Sequence, residues 1–437
     1  MTVMTTPKVG NLRVNADRLW ARHMELAQIG AIAGDGSCRL ALSPEDAAAR
    51  ALFATWCEAA GLSITADRAG NMFAVRPGQD ATLPAIAAGS HLDTQPHGGR
   101  FDGISGVLAA LEVIETLNDA GIDTIAPLAV INWTNEEGVR YAPGLMGSSW
   151  FVGQISDAAL DGTRASDGAF FAEEVRRLGL GGDQGQLGFA IGAFFELHIE
   201  QGPLLEKLGS QVGIVTSVQG LRWLDVTVTG MDGHAGTTPL DHRKDALLAA
   251  ARMIVRLNEV GRTFGPDARV SVGRITPATA GPSTIVGECG FVIDIRHPDA
   301  ATLAQMADEC AAGCRDIATS SDCEVALTER ISVAPCKFDE GCIDALENAA
   351  IDMGFSNVRM ASGALHDASN IAKVAPTAMI FVPCRDGISH NVNEYAAPHD
   401  IAAGATVLLH AMLEKAGLSV NQTTLTGKMA ANAPNPT

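Results

Sequence analysis

The chain has 437 residues, 47% of them hydrophobic, with a formal net charge of −19 and a pI of about 4.9. That is enough apolar material for a large core, in two domains or in one with a sizeable insertion. The acidic balance excludes a broad basic surface for nucleic acid, and no apolar run approaches the ~18–20 residues needed to cross a bilayer.

The N-terminal segment lacks an apolar signal core. The nine cysteines form no CxxC pair, which suits a reduced, cytoplasmic protein. Pro44 to Ala60 is helical in pattern and ends before Gly61. Leu83 to Gly89 is a short apolar run that predicts a buried strand leading straight into His91. From Asp102 to Ala120, the apolar residues Ile104, Val107, Leu108, Leu111, Ile114 and Leu117 follow helical spacing. Ala126 to Trp133 predicts a second buried strand, which runs into Asn135-Glu136-Glu137. The polar motifs thus fall where strands end and loops begin, the place where open α/β sheets bind ligands.

The middle of the chain reads differently. Arg222 to Thr229 alternates as a half-buried strand. A helix follows near Lys244–Val260, then strands over Arg269–Ile275 and Glu288–Ile295, a helix over Ala300–Ala318 and a strand over Cys323–Ile331. The order β-α-β-β-α-β is that of a ferredoxin-like module. It is expected over residues 217–333, inserted between two parts of one α/β catalytic domain (1–216 and 334–417) whose mixed central sheet is flanked by helices. Residues 418–437 are polar and rich in Pro and Asn, which predicts a loose tail. Thr377 to Val382 predicts a strand that leads to His390.

Each motif has an ordinary alternative. Asp102 opens a helix and would serve as an N-cap, and lone histidines such as His198 and His390 often sit satisfied in cores or turns. Adjacent Glu136 and Glu137 are harder to explain away, because two carboxylates in one glycine-flanked loop repel unless cations or protons intervene. One can ligate a metal while its neighbour takes a proton from metal-held water. Asp93, two residues after His91, is a candidate for orienting that imidazole. His234 and Arg296 lie in the inserted module. A turn histidine and a surface ion pair would account for them, as would stabilisation of an oxyanion by His234 and a bidentate grip on a substrate carboxylate by Arg296.

The strings GSHLDT, GGRFDG, TNEEG, HIEQGP, GHAGTTP, RKDA, DIRHPD and GISHN, spread from about Asp17 to Ala416, resemble the amidase/hydantoinase/carbamoylase family of dinuclear metallohydrolases. That family lies within the aminoacylase–carboxypeptidase superfamily. HIEQG and SHN point to the carbamoylase branch, since the peptidase branch typically has an acidic residue where His198 stands. The resemblance implies two divalent metal ions per subunit, usually zinc, manganese, cobalt or nickel. Asp102 would bridge them, His91 and His198 would complete one set of ligands, and Glu137 and His390 the other. It implies Glu136 as general base, Asp93 and His366 as supports behind the ligands, and Arg296, Gln201, Gln219 and Ser283 as contacts to a small substrate bearing a carboxylate. The inserted module would be a lid and homodimerisation domain, from which His234 reaches the partner subunit's site. The expected reaction is hydrolysis of a linear amide or ureido C–N bond, above all in an N-carbamoyl-L-amino acid or N-carbamoyl-β-alanine. Allantoate or ureidoglycolate hydrolysis and aminoacylase or dipeptidase activity are the alternatives. Two positions depart from the pattern: Ser283 replaces an asparagine that helps hold the substrate, and Leu365 replaces a glycine close to the metal-facing loop.

Overall fold

The computed structural model describes residues 10–279 and 281–419. Its elements in chain order begin with α1 (Ala16–Leu26), α2 (Pro44–Ala59), β1 (Ser63–Ala66), β2 (Met72–Arg76), β3 (Ala85–His91), α3 (Ile104–Asp119), β4 (Leu128–Trp133), β5 (Ile191–Ile199) and β6 (Val212–Val218). They continue with β7 (Gly220–Thr229), α4 (Ala246–Thr263), β8 (Arg269–Pro277), β9 (Glu288–His297), α5 (Ala300–Ser320), β10 (Glu324–Val333), β11 (Thr377–Val382) and α6 (Pro398–Ala416). The described residues divide into two compact units: those within 10–216, 338–360 and 366–419 form one, and those within 217–337 with 361–365 form the other.

The first unit is built on a mixed sheet in the order β6-β11-β5-β3-β4-β2-β1. β11, β5, β3 and β4 run parallel, while β6, β2 and β1 pair antiparallel at the flanks. β3, β4 and β11 are buried along their whole length, which is why they read as unbroken apolar runs. α3 packs against β3 and α6. Its buried positions spread around most of the helix, as sandwiching between sheet and helix requires. Because the four central strands are parallel, their carboxyl ends converge on one edge. His91 ends β3, Asn135-Glu136-Glu137 follow β4, His198 is the second-last residue of β5, and His390 lies beyond β11.

Three features differ from the sequence reading. α3 begins at Ile104 with Gly103 as its cap residue, so Asp102 stands ahead of the helix and caps nothing. Residues 141–180, read as no element, hold short helices around a cluster of Tyr141, Met146, Trp150 and Phe171. At the C-terminus, Leu418 bridges Thr124 and Ser419 donates to the Asp123 carbonyl, so those two residues are paired. The rest of the expected tail, from residue 420, lies outside the described residues.

The second unit is a four-stranded antiparallel sheet in the order β8-β9-β7-β10, with α4 and α5 as its helices. Burial alternates strictly along β9, so Cys289, Phe291, Ile293 and Ile295 face the helices while Asp294 and Arg296 face away. The element order is β-α-β-β-α-β. Among the described residues, no helix is long and apolar enough to cross a membrane.

One buried ion pair supports the loop behind β4. Arg50 on α2 bonds both oxygens of Asp46 at 3.0 Å, the Gly70 carbonyl at 2.8 Å and the Thr134 hydroxyl at 3.2 Å. Removing one partner of such a pair strands the other in a dry interior. Asp46→Ala is therefore expected to cost about 3–5 kcal/mol in urea unfolding, and Asp46→Ala with Arg50→Met distinctly less.

Candidate metal centre

The carboxylate of Asp102 is the centre of the site. It is buried, and its two oxygens face different partners. Oδ1 lies 3.0 Å from His198 Nε2 and 3.7 Å from His91 Nε2, whereas Oδ2 lies 3.3 Å from His390 Nε2. His91, Asp102 and His198 place one ligand atom each within 4.8 Å of one another, and Asp102, Glu137 and His390 do the same. Asp102 thus belongs to both trios, with one oxygen toward each. Gly103, at φ 70°, makes this approach possible, since a Cβ there would stand 2.3 Å from the His91 ring.

The imidazoles are aimed by the backbone. His91 Nδ1 lies 2.9 Å from the Asp93 carbonyl and His198 Nδ1 2.9 Å from the Ile199 carbonyl. Each contact keeps the proton on Nδ1 and leaves Nε2 with a lone pair for the centre. Asp93 thus stands behind His91 through its carbonyl rather than its carboxylate. Its carboxylate lies 3.9 Å from His91 Nδ1, and instead accepts the backbone N–H groups of Glu136 and Glu137, each at 3.2 Å. Those two donors close the turn after Asn135, whose φ is 57°, so Asp93 orients the glutamate pair through the main chain and orients His91 through its own carbonyl.

Glu136 stands apart from both trios. Its Oε2 is 3.4 Å from His91 Nε2, while Glu137 is held by Gln95 at 2.6 Å and faces His390 at 3.5 Å. Burial, then the charges of Glu137 and Asp367, push the Glu136 carboxyl well above the usual range. Burial and the Asp102 charge push Glu137 up to about 8. Burial penalises Asp102 as well, yet the His198, His390 and His91 imidazoles outweigh it and hold Asp102 well below its ordinary value. His390 rises to about 9, chiefly through its bond to Asp102. Burial opposes protonation of His198, but Asp102 overcomes it and raises that ring to about 9 as well. Burial lowers His91 to about 4. Without a metal, this cluster keeps its carboxylates together only by holding protons.

The donor set of imidazole nitrogens and carboxylate oxygens fits divalent metal cations. Gln201 completes the frame around Asp102. Its Nε2 donates to Asp102 Oδ2 at 2.8 Å and its buried Oε1 has no partner, so its amide engages the shared carboxylate. His366, read as a support, packs edge-on against His198 with ring centroids 4.6 Å apart. Glu196 was missed. It lies in β5, accepts from the Ser90 hydroxyl at 2.6 Å and the Ala368 N–H at 2.8 Å, and forms a third close group with His198 and His366. A lone glutamate inside the apolar run Gly192-Ala-Phe-Phe-Glu-Leu197 was the signal that could have found it.

The remaining four predicted residues lie in the second unit. Arg296 bonds both oxygens of Asp294 at 2.9 Å and the Gly363 carbonyl through Nη1 at 3.0 Å. His234 is exposed, and its Nδ1 accepts the N–H groups of Gly236 (3.0 Å) and Thr237 (3.2 Å), which leaves the proton on an outward Nε2. The Ser283 carbonyl accepts the Ala235 N–H at 2.8 Å, which places Ser283 beside His234. Gln219 donates to the Asp267 carbonyl at 3.2 Å and keeps a buried Oε1 without a partner.

The model of peptidase family M20/M25/M40 matches residues 87–414. This chain belongs to that family. It is 42% identical to the N-carbamoyl-L-amino-acid amidohydrolase of Rhizobium meliloti over 93% of this chain and 98% of the relative. It is 34% identical to the allantoate amidohydrolase of Bacillus subtilis (strain 168), over 88% and 93% of the two chains. The crystal structure of an amidase of the hydantoinase/carbamoylase family from Burkholderia multivorans superposes with a TM-score of 0.90 at 45% identity, covering 93% of this M20-family chain and 98% of the other.

The shifts above set a pH dependence. Glu137 (about 8), His198 and His390 (both about 9) all bind protons more tightly folded than unfolded. Their contribution is full below the unfolded values and is lost as pH rises through the folded ones. His91, lowered to about 4, is neutral in both states above pH ~7 and adds no slope there. The melting temperature of the metal-stripped protein is therefore expected to fall between pH ~7 and ~9, and metal addition to flatten that slope. A stripped protein whose melting is level across this window would contradict the arrangement.

Proposed function

We propose that this chain is a dinuclear metal-dependent amidohydrolase that cleaves a linear ureido or amide C–N bond. The preferred substrate is an N-carbamoyl-L-amino acid or N-carbamoyl-β-alanine, giving the amino acid, CO2 and ammonia. One observation carries the reading: the Asp102 carboxylate is shared between two trios of ligand atoms while Glu136, beside both, belongs to neither. The similarity to the Rhizobium meliloti enzyme supports the carbamoyl substrate.

Asp102, His91 and His198 would hold one ion, and Asp102, Glu137 and His390 the other. When bound, the ions supply Lewis acidity and lower the pKa of the water they hold toward ~7. Glu136, whose proton affinity is raised by burial and by the charges of Glu137 and Asp367, would be the base that takes the proton from the attacking water. Hydroxide adds to the carbamoyl carbon, the bond from that carbon to the amino-acid nitrogen breaks, and Glu136 delivers its proton to the departing nitrogen. The carbamate left behind decomposes to CO2 and ammonia. His234, with its proton on Nε2, is the proposed donor to the developing oxyanion. Arg296, pre-oriented by Asp294, is the proposed anchor for the substrate carboxylate, with Gln219 and Ser283 as further contacts. Assembly as a homodimer through the second unit and a cytoplasmic location belong to the same proposal.

The test is a panel of N-carbamoyl-, N-formyl- and N-acyl-amino acids, dipeptides, allantoate and ureidoglycolate, assayed with metal-reconstituted protein for ammonia and for free amine. The carbamoyl compounds are expected to turn over fastest; faster release of amine from acyl substrates or of ammonia from allantoate would move the assignment. Glu136→Gln should lower kcat by about 10²–10⁴-fold at unchanged metal content. Arg296→Lys should act mainly through KM, because a lysine cannot reproduce the planar fork.

A further inference from the structure

The loop that carries Asp102 and the loop that carries His390 come from opposite ends of the first unit's sequence, and one side chain outside both ligand trios ties them together. Glu394 is 2% exposed. Its Oε1 accepts the backbone N–H groups of Phe101 at 3.0 Å and Asp102 at 3.1 Å. Its Oε2 lies 3.0 Å from the Ser389 hydroxyl, which also reaches Asp102 Oδ2 at 2.8 Å. The Glu394 N–H donates to the Asn391 carbonyl at 3.0 Å, closing the turn that holds His390 at φ 53°. Gly99 leaves room for this carboxylate, since a Cβ there would stand 2.1 Å from Oε1.

We propose that Glu394 is a positioning residue that sets the spacing between Asp102 and His390, and so the affinity of the second metal position. The proposal rests on the two-metal reading above. The physical reason is directional. The two histidines of the first trio are aimed without Glu394, because His91 and His198 are oriented by the carbonyls of Asp93 and Ile199. The second trio relies on two irregular loops that have no shared strand, and here Glu394 and Ser389 supply the link. Loss of Glu394 would let the His390 loop move relative to Asp102 while His91 and His198 stay in place.

The experiment is a titration of Co²⁺ into metal-stripped wild type, Glu394→Gln, Glu394→Ala, Ser389→Ala and His390→Ala, followed by calorimetry and cobalt absorbance. Melting of each stripped protein is measured alongside. Wild type should take up two ions. In Glu394→Ala the second ion should bind about ten- to a hundredfold more weakly, as in His390→Ala, while the first keeps its wild-type affinity. Glu394→Gln, which retains an acceptor for the two N–H groups, should recover part of the loss, and Ser389→Ala should lose less than Glu394→Ala. Should Glu394→Ala not fold, Glu394→Gln and Ser389→Ala carry the same comparison.

Wild-type affinity for both ions in every Glu394 and Ser389 variant overturns the proposal. So does a parallel weakening of both ions with a lower melting temperature of the stripped protein, the signature of a merely structural role. A wild type that binds no Co²⁺ overturns it together with the two-metal reading. Two ions bound with no hydrolysis across the substrate panel overturn the proposed activity and leave the positioning role standing.

Discussion

A buried carboxylate that must serve two sides at once governs the first unit. Asp102 is nearly sealed from solvent, and an isolated carboxylate there would be prohibitively costly. The fold meets that cost by converging three histidines and the Gln201 amide on its two oxygens. Parallel strands make this convergence possible, because side chains and loops at their carboxyl ends reach one edge from distant parts of the sequence. The glycines at 99 and 103 follow from the same demand, since any side chain there would displace either the His91 ring or the carboxylate behind Asp102.

That dependence explains what could be read from the sequence. His91, Asp102, Glu136, Glu137, His198 and His390 stand in short glycine-bordered polar motifs next to apolar runs, and both the runs and the motifs have local signatures. The alternation of β7 and β9, with helical periods in between, likewise marks the second unit. What could not be read is the direction of hydrogen bonds. Asp93 next to His91 suggests a carboxylate-to-imidazole contact, but the backbone turn after Asn135 presents two N–H groups that the carboxylate meets instead. Residues 141–180 lack any local pattern, because their burial comes from tertiary packing that periodicity does not encode, and the lone Glu196 in its apolar run gives no hint of the partners it meets across the fold.

The second unit shows a similar preparation of polar groups. Asp294 holds Arg296 in one orientation on the outward face of β9, leaving part of the guanidinium fork for another anion. A turn fixes the tautomer of His234 by donating two backbone N–H groups to its Nδ1. In both cases internal hydrogen bonds restrict the side chain's rotamers, which on the proposed reading would reduce the entropic cost of binding.

The division of labour between Glu136 and Glu137 follows from electrostatics rather than from any difference in residue type. Both are glutamates at neighbouring positions, and burial raises the proton affinity of both. Glu137 is tied to Gln95 and faces His390, so its carboxylate is directed toward the Asp102–His390 group. Glu136 is repelled by Glu137, Asp367, Asp102 and Asp93, and among the described residues it forms no ion pair with an arginine or lysine. Metal ions near Asp102 would displace the protons that the stripped cluster retains. They would thereby lower the proton affinity of Glu136 from its raised position, which helps a base both accept and return a proton within one turnover. On the proposed reading, binding of the ions and activation of the base would be one electrostatic event, coupled by the pair of adjacent glutamates.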